Sequence, residues 1–234
     1  MTPCWAATLC GAAAGAFVCA LARRTADDER KILAGRRAFA GCAVLTAISW
    51  ALLVSRWPLR RDWPLAAAAL CFAEFHALTD LSDGYVYDRA VAASLAAALA
   101  LRLPYGFLPG AKEILLGMAA GTAPLALIVL ATRGGMGWGD VFLMAGLGAL
   151  LGWKLTALTL YGGIVSGGVA ALFLLLAKRV GRKDALPLAP FLLIGLLFAL
   201  WAAPRIGPRL GTAIRFFEEE PAASARLVGG ENPP

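Results

Sequence analysis

Apolar runs of close to twenty residues, parted by short charged or glycine-rich loops, recur along most of this 234-residue chain. A run of that length is what an α-helix needs to cross the hydrocarbon of a bilayer. In lipid, every backbone polar group must also be satisfied within the protein, which leaves helices as the simplest spanning element. Hydrophobic residues make up 60% of the chain, above the roughly 45–50% of an ordinary soluble domain. The predicted fold class is therefore all-α, a polytopic membrane protein with about eight transmembrane helices. A lipid bilayer is its first partner.

The expected spans are Pro3–Ala22, Ala38–Ser55, Pro64–Asp80, Arg89–Leu103, Ile114–Ala131, Asp140–Trp153, Leu155–Ala177 and Leu186–Ala203. The sixth is short for a full crossing. Residues 1–63 read as an N-terminal transmembrane hairpin with a short basic loop, 64–204 as the core, and 205–234 as a mobile tail. Pro3–Ala22 has no positive charge before it and Arg23-Arg24 directly after. That is the reverse of a cleaved signal peptide and fits a retained first span with its N-terminus outside.

The net charge of +7 could suggest nucleic acid. The basic residues, however, sit in short loops between apolar runs, such as Arg23, Arg24, Arg30, Lys31, Arg36 and Arg37. That distribution reads as control of topology, and no nucleic-acid partner is expected. Counting spans alternately from these loops puts the turns after Asp80 and before Asp140 on the same, cytoplasmic side. The five cysteines all lie within apolar runs and form no CxxC pair, and there is one histidine. Neither a disulfide framework nor a metal site is expected, and no cofactor.

Chemistry concentrates at two aspartates. Gly134-Gly135-Met136-Gly137-Trp138-Gly139-Asp140 leads directly into an apolar run, and Asp80 ends another. Glycines let a backbone turn freely or approach another chain closely, and an ionisable group at membrane depth is a functional candidate. Two carboxylates held close share a proton, because both cannot ionise cheaply. Such a pair can take a proton from water and give one to a scissile carbonyl. Asp80 and Asp140 are the candidate catalytic residues, with Gly137 and Gly139 in an active-site loop. The plainer alternative makes each a helix-end residue facing water, with Asp140 as an N-terminal cap. A dinucleotide-binding reading of the glycines lacks the required strand and αβ unit.

The segment Gly135 to Trp153 resembles the GxGD segment of the type IV prepilin peptidases. Asp80-Leu81-Ser82-Asp83-Gly84-Tyr85-Val86-Tyr87-Asp88 resembles that family's first aspartate motif, and Leu186 to Gly195 is similar to its later Pro-Phe-Leu segment. The resemblance covers roughly residues 64 to 200. Tyr87 stands in place of the family's usual proline, and Phe142 in place of the lysine that commonly follows GxGD-Val. The resemblance implies an aspartic endopeptidase of the bacterial inner membrane, its active site facing the cytoplasm. It would remove short basic leaders from type IV pilin-like precursors and need no metal or nucleotide. Bifunctional members of the family carry paired CxxC motifs in their first cytoplasmic loop and also methylate the product. That loop is short here and lacks cysteine, so the resemblance points to the cleavage-only type.

Four further residues bear on the site. His76 lies one helical turn before Asp80 and is placed to tune the pair or to bond a neighbouring helix. Glu74 falls on another face and should bond within the bundle. Asp83 and Asp88 belong to the wet turn, Asp88 as a residue beside the site. Tyr87-Asp88 also imitates the Tyr-Asp motif of signal-peptide-peptidase-like and presenilin-like proteases, in which Asp88 would be the partner of Asp140. A third alternative is a non-catalytic transporter or pilus-assembly factor. Small-xxx-small pairs at Gly117/Gly121, Gly148/Gly152 and Gly163/Gly167 suggest close helix packing.

Overall fold

The computed structural model describes residues 46–53, 63–83, 88–102, 107–132, 136–179 and 186–206, with positions 18, 20, 44 and 181. The first span, the Arg23–Arg37 loop, the outer loop after Ser55, Tyr85 and Tyr87, Gly134 and Gly135, and the tail lie outside the described residues. Residues 46–53 are helical. Five helices follow: α1 (Trp63–Asp83), α2 (Asp88–Arg102), α3 (Phe107–Ala131), α4 (Trp138–Leu176) and α5 (Ala189–Ile206).

This is a helical membrane protein, but eight spans are not supported. Among the described residues three helices are long and apolar enough to cross a membrane, at Pro64–Leu81, Ala111–Ala131 and Trp138–Leu176. The expected fourth span is the 15-residue α2, which begins at Asp88 and ends at Arg102. The eighth offers only the shorter apolar stretch Ala189–Ala202. Helix starts also differ from expectation. α3 begins at Phe107, inside what reads as a loop, because Pro109 falls in its first turn, where no N–H is needed. α5 begins at Ala189, three residues later than expected.

The expected sixth and seventh spans form one helical run of 39 residues, with Gly152 inside it at φ 73°, ψ 168°. The chain reverses there. A Cβ added at Gly121 would lie 2.7 Å from the Met144 carbonyl oxygen and 3.0 Å from the Thr156 methyl. In one straight helix Met144 and Thr156 would stand about 18 Å apart along the axis. Both therefore flank Gly121 because α4 folds back on itself, 138–151 running one way and 153–176 the other. Only glycine adopts this φ without strain. Two hydrogen bonds brace the turn. The Thr156 hydroxyl donates to the Gly152 carbonyl at 2.6 Å. The buried Arg102 donates through Nε to the Ala149 carbonyl at 3.0 Å, where the break at Gly152 interrupts the helical ladder.

Close approach of backbones holds the bundle. Gly117 of α3 meets Gly148 of α4, and Gly195 of α5 meets Thr159 and Gly163, with no room for a side chain. Gly163 and Gly167 pack on Leu192 and Phe191. The glycine pairs do mark helix contacts. α1 is the inner helix, with 78% of its span buried against 28% for that of α3. The apolar residues left exposed, among them Leu127, Val169 and Phe173, form the outward face that lipid would cover.

Candidate active site

The packing of α1 on α4 bears on where the two aspartates lie. Phe72 of α1 packs its ring on Gly146 of α4. Asp80 lies two turns further along α1, and Asp140 lies at a similar remove in the opposite sequence direction along α4. The two carboxylates lie within electrostatic reach of each other.

Asp80 is buried, at 6% exposure, so it is no water-facing helix end. Its Oδ2 accepts a hydrogen bond of 3.0 Å from the Ala189 N–H, and the Leu188 N–H also reaches the carboxylate. These donors are free because of how α5 begins. The Leu188 carbonyl accepts from the Phe191 and Leu192 N–H groups, so the helical ladder starts there. Leu188 and Ala189 then have no acceptor within the helix. Leu186-Pro187-Leu188 carries no side chain able to cap, and Asp80 supplies the cap from α1.

Asp140 lies in the first turn of α4 and is half-buried. The N-cap of that helix is Gly137, with no side-chain cap bond, so Asp140 is not a capping residue. Its Oδ1 is buried without a hydrogen-bond partner among the described residues. The pair is thus unequal. A hydrogen bond to a charged group contributes about 1.5–3 kcal/mol, and a helix dipole typically about 0.3–1 kcal/mol. Both aspartates sit at helix N-termini, but Asp80 alone has directed donors.

Gly137 is exposed, at φ −73° and ψ 142°. Any residue adopts that conformation, so free turning is not what requires glycine there. A Cβ at Gly137 would meet only the Gly139 nitrogen, at 3.9 Å. The glycine leaves bare, open backbone at this point. Gly139 is half-buried in the first turn of α4.

His76 is fully buried. Its Nε2 lies 3.5 Å from the Ser94 hydroxyl of α2, and its ring stands edge-on to Phe72 and Phe75. It bonds toward a neighbouring helix, and the Thr79 hydroxyl donates to its carbonyl at 3.1 Å. Glu74 faces Ser49 and Trp50 of the preceding helical segment, but both of its carboxylate oxygens are buried without a hydrogen-bond partner among the described residues, so the expected bond within the bundle is not seen. Asp88 is exposed at the first position of α2. Phe142 is exposed, and its ring lies 6.4 Å from that of Trp138. Among the described residues no three His, Cys, Asp or Glu side chains cluster to hold a metal. The Ala189 N–H and the buried Arg102 were not foreseen. The uncapped proline-flanked start of α5 is the one sequence signal that points to the first.

The fold defines a class: a helical membrane protein, here with two aspartates on separate helices within electrostatic reach of each other. Over residues 66–172, which include both aspartates, the chain matches the type IV leader peptidase family. It is 31% identical over 151 residues to a prepilin leader peptidase/N-methyltransferase of Aeromonas salmonicida, covering 61% of this chain and 52% of the relative. It is 36% identical over 85 residues to the protein of that name from Bacillus subtilis, covering 36% and 34% respectively. The one from Pseudomonas putida is 40% identical over 68 residues, 29% and 24% of the two chains. The chain thus spans about half or less of the length of these relatives. No solved structure matches it.

Proposed function

We propose that this protein is a prepilin leader peptidase. It hydrolyses the bond after the short basic leader of type IV pilin-like precursors, using Asp80 and Asp140 as the catalytic pair. The observation that carries the reading is the match of residues 66–172 to the family, supported by the electrostatic reach between Asp80 and Asp140 within that segment. The site lies in the cytoplasmic membrane and faces the cytoplasm, where a precursor's leader emerges from its apolar helix. Water enters from the wet side, and the open backbone at Gly137 lets the substrate chain lie against α4. The pair removes a proton from water and protonates the scissile carbonyl.

Cleavage is the whole activity in this reading. The names of the relatives include N-methyltransferase, but the loop Arg23–Arg37 of this chain lacks the cysteine pairs of bifunctional enzymes. The presenilin-like reading needs Asp88 beside Asp140, and an exposed Asp88 at the start of α2 does not favour it.

Incubation of membranes containing this protein with a pilin precursor from the same genome tests the proposal. A mobility shift and a new N-terminus at the leader boundary are expected, both dependent on Asp80 and Asp140. An uncut precursor would sink the proposal.

A further inference from the structure

A proton shared by two carboxyls has two places to sit, and here they differ. Asp80 is the acceptor for the N–H groups of Ala189 and Leu188 at the start of α5. A carboxylate can accept both bonds fully, whereas a protonated carboxyl gives up part of that capacity. Asp140 has a buried Oδ1 without a donor among the described residues, and an unpartnered buried oxygen costs less when neutral.

We infer that Asp80 is the general base and Asp140 the general acid, with the backbone at the start of α5 holding Asp80 as the anion. This rests on the peptidase reading of the site and deepens it. Water adds its oxygen to the scissile carbonyl carbon while Asp80 takes one of its protons. Asp140 gives its proton to the carbonyl oxygen, leaving a neutral gem-diol. The proton on Asp80 then passes to the amide nitrogen as the C–N bond breaks and its electron pair leaves with nitrogen. One gem-diol hydroxyl returns its proton to Asp140. Acid and amine depart, and both aspartates are restored.

Other titratable groups on the packed elements face elsewhere. On α1, Glu74 faces Ser49 and Trp50, and His76 faces Ser94. Asp88 is exposed on α2, and Arg102 bonds Ala149 at the far end. Lys112 and Glu113 of α3 and Lys154 of α4 lie near the Gly152 turn, away from the pair. The described part of α5 adds no ionisable side chain up to Ala202.

The test removes the donor and leaves the carboxylate. Ala189→Pro deletes the N–H at the first helical position, where proline is well accommodated. Leu188→Pro removes the second donor. The rate–pH profile of precursor cleavage should then lose activity on its acid side about one pH unit higher, a roughly tenfold change in proton affinity. The alkaline limb should stay in place. An acid limb that does not move, or movement of the alkaline limb instead, overturns the assignment. Infrared spectra of the unsubstituted protein, Asp80→Asn and Asp140→Asn need no substrate. The protonated-carboxyl band of the pair should vanish in Asp140→Asn and persist in Asp80→Asn, and the reverse pattern overturns the proposal. Failure of the unsubstituted protein to cut any precursor would instead count against the peptidase reading.

Discussion

Asp80 Oδ2 and the Ala189 N–H, 109 residues apart in the chain, meet at 3.0 Å. One carboxylate from the inner helix caps a helix that cannot cap itself. The contact joins α1 to α5 at the end of the bundle where Asp140 enters from α4. The residue best placed for proton chemistry is therefore also part of the scaffold, and substitutions there can be used to separate the two roles.

Asparagine caps a helix about as well as aspartate, whereas alanine costs about 0.5–2 kcal/mol at such a position. Asp80→Asn should fold and accumulate normally yet lose cleavage by orders of magnitude, since members of one catalytic unit fail together. Asp80→Ala should be equally inactive and also melt earlier in detergent. Asp140→Asn should match Asp80→Asn in activity. Asp88→Asn should keep measurable cleavage. Precursor cleavage and thermal unfolding of the four variants read this out, and an inactive Asp88→Asn beside an active Asp80→Asn would reassign the pair.

Glycine matters here where backbones touch. A Cβ at Gly148 would come within 2.8 Å of the Met118 nitrogen, while one at Gly168 meets nothing within 4 Å. Gly148→Ala should therefore destabilise by about 1–3 kcal/mol through overpacking against α3. Gly168→Ala, on an open helix face, should be neutral or slightly stabilising, because alanine is the better helix former. Unfolding in detergent measures both. Equal effects would show that the α3–α4 contact does not limit stability.

The aspartates were legible because a carboxylate at the end of a long apolar run has few structural excuses. That their turns share a side is an expectation from counting loops. The partner of Asp80 was not legible, because a free backbone N–H leaves no mark beyond the poor capping sequence around Leu188. The reversal within α4 was half visible: the sixth span looked short, but Gly152 read as one more small residue in a packing pair. Its left-handed φ is set by the fold-back, not by any local turn signature. Gly137 misled in the opposite sense, since its conformation is one any residue can take. Pro109 suggested a loop and turned out to sit in the first turn of a helix.

Methylation should be absent. Within the family resemblance, the cysteine pairs of the first cytoplasmic loop accompany the methylating members, and Arg23–Arg37 has none. The product of cleavage by purified protein with S-adenosylmethionine should carry a free α-amine by mass spectrometry. A gain of one methyl group on the new N-terminus would refute the cleavage-only assignment.

Topology gives the last prediction. Lys and Arg cluster in the loop Arg23–Arg37 and again at Lys178, Arg179, Arg182 and Lys183, and such short basic loops are retained in the cytoplasm. Alternate counting then places Ser82 and Gly135 inside. The electrostatic reach between Asp80 and Asp140 is consistent with the two turns sharing a side. It does not say which side, so the basic loops carry that part alone. Single cysteines at positions 82 and 135, with the five native cysteines replaced, should resist a membrane-impermeant thiol reagent in intact cells. Both should react once the membrane is opened. Labelling of both from outside would invert the molecule and put the carboxylates in the wrong compartment for a cytoplasmic leader. Labelling of only one would contradict the convergence of α1 and α4 itself.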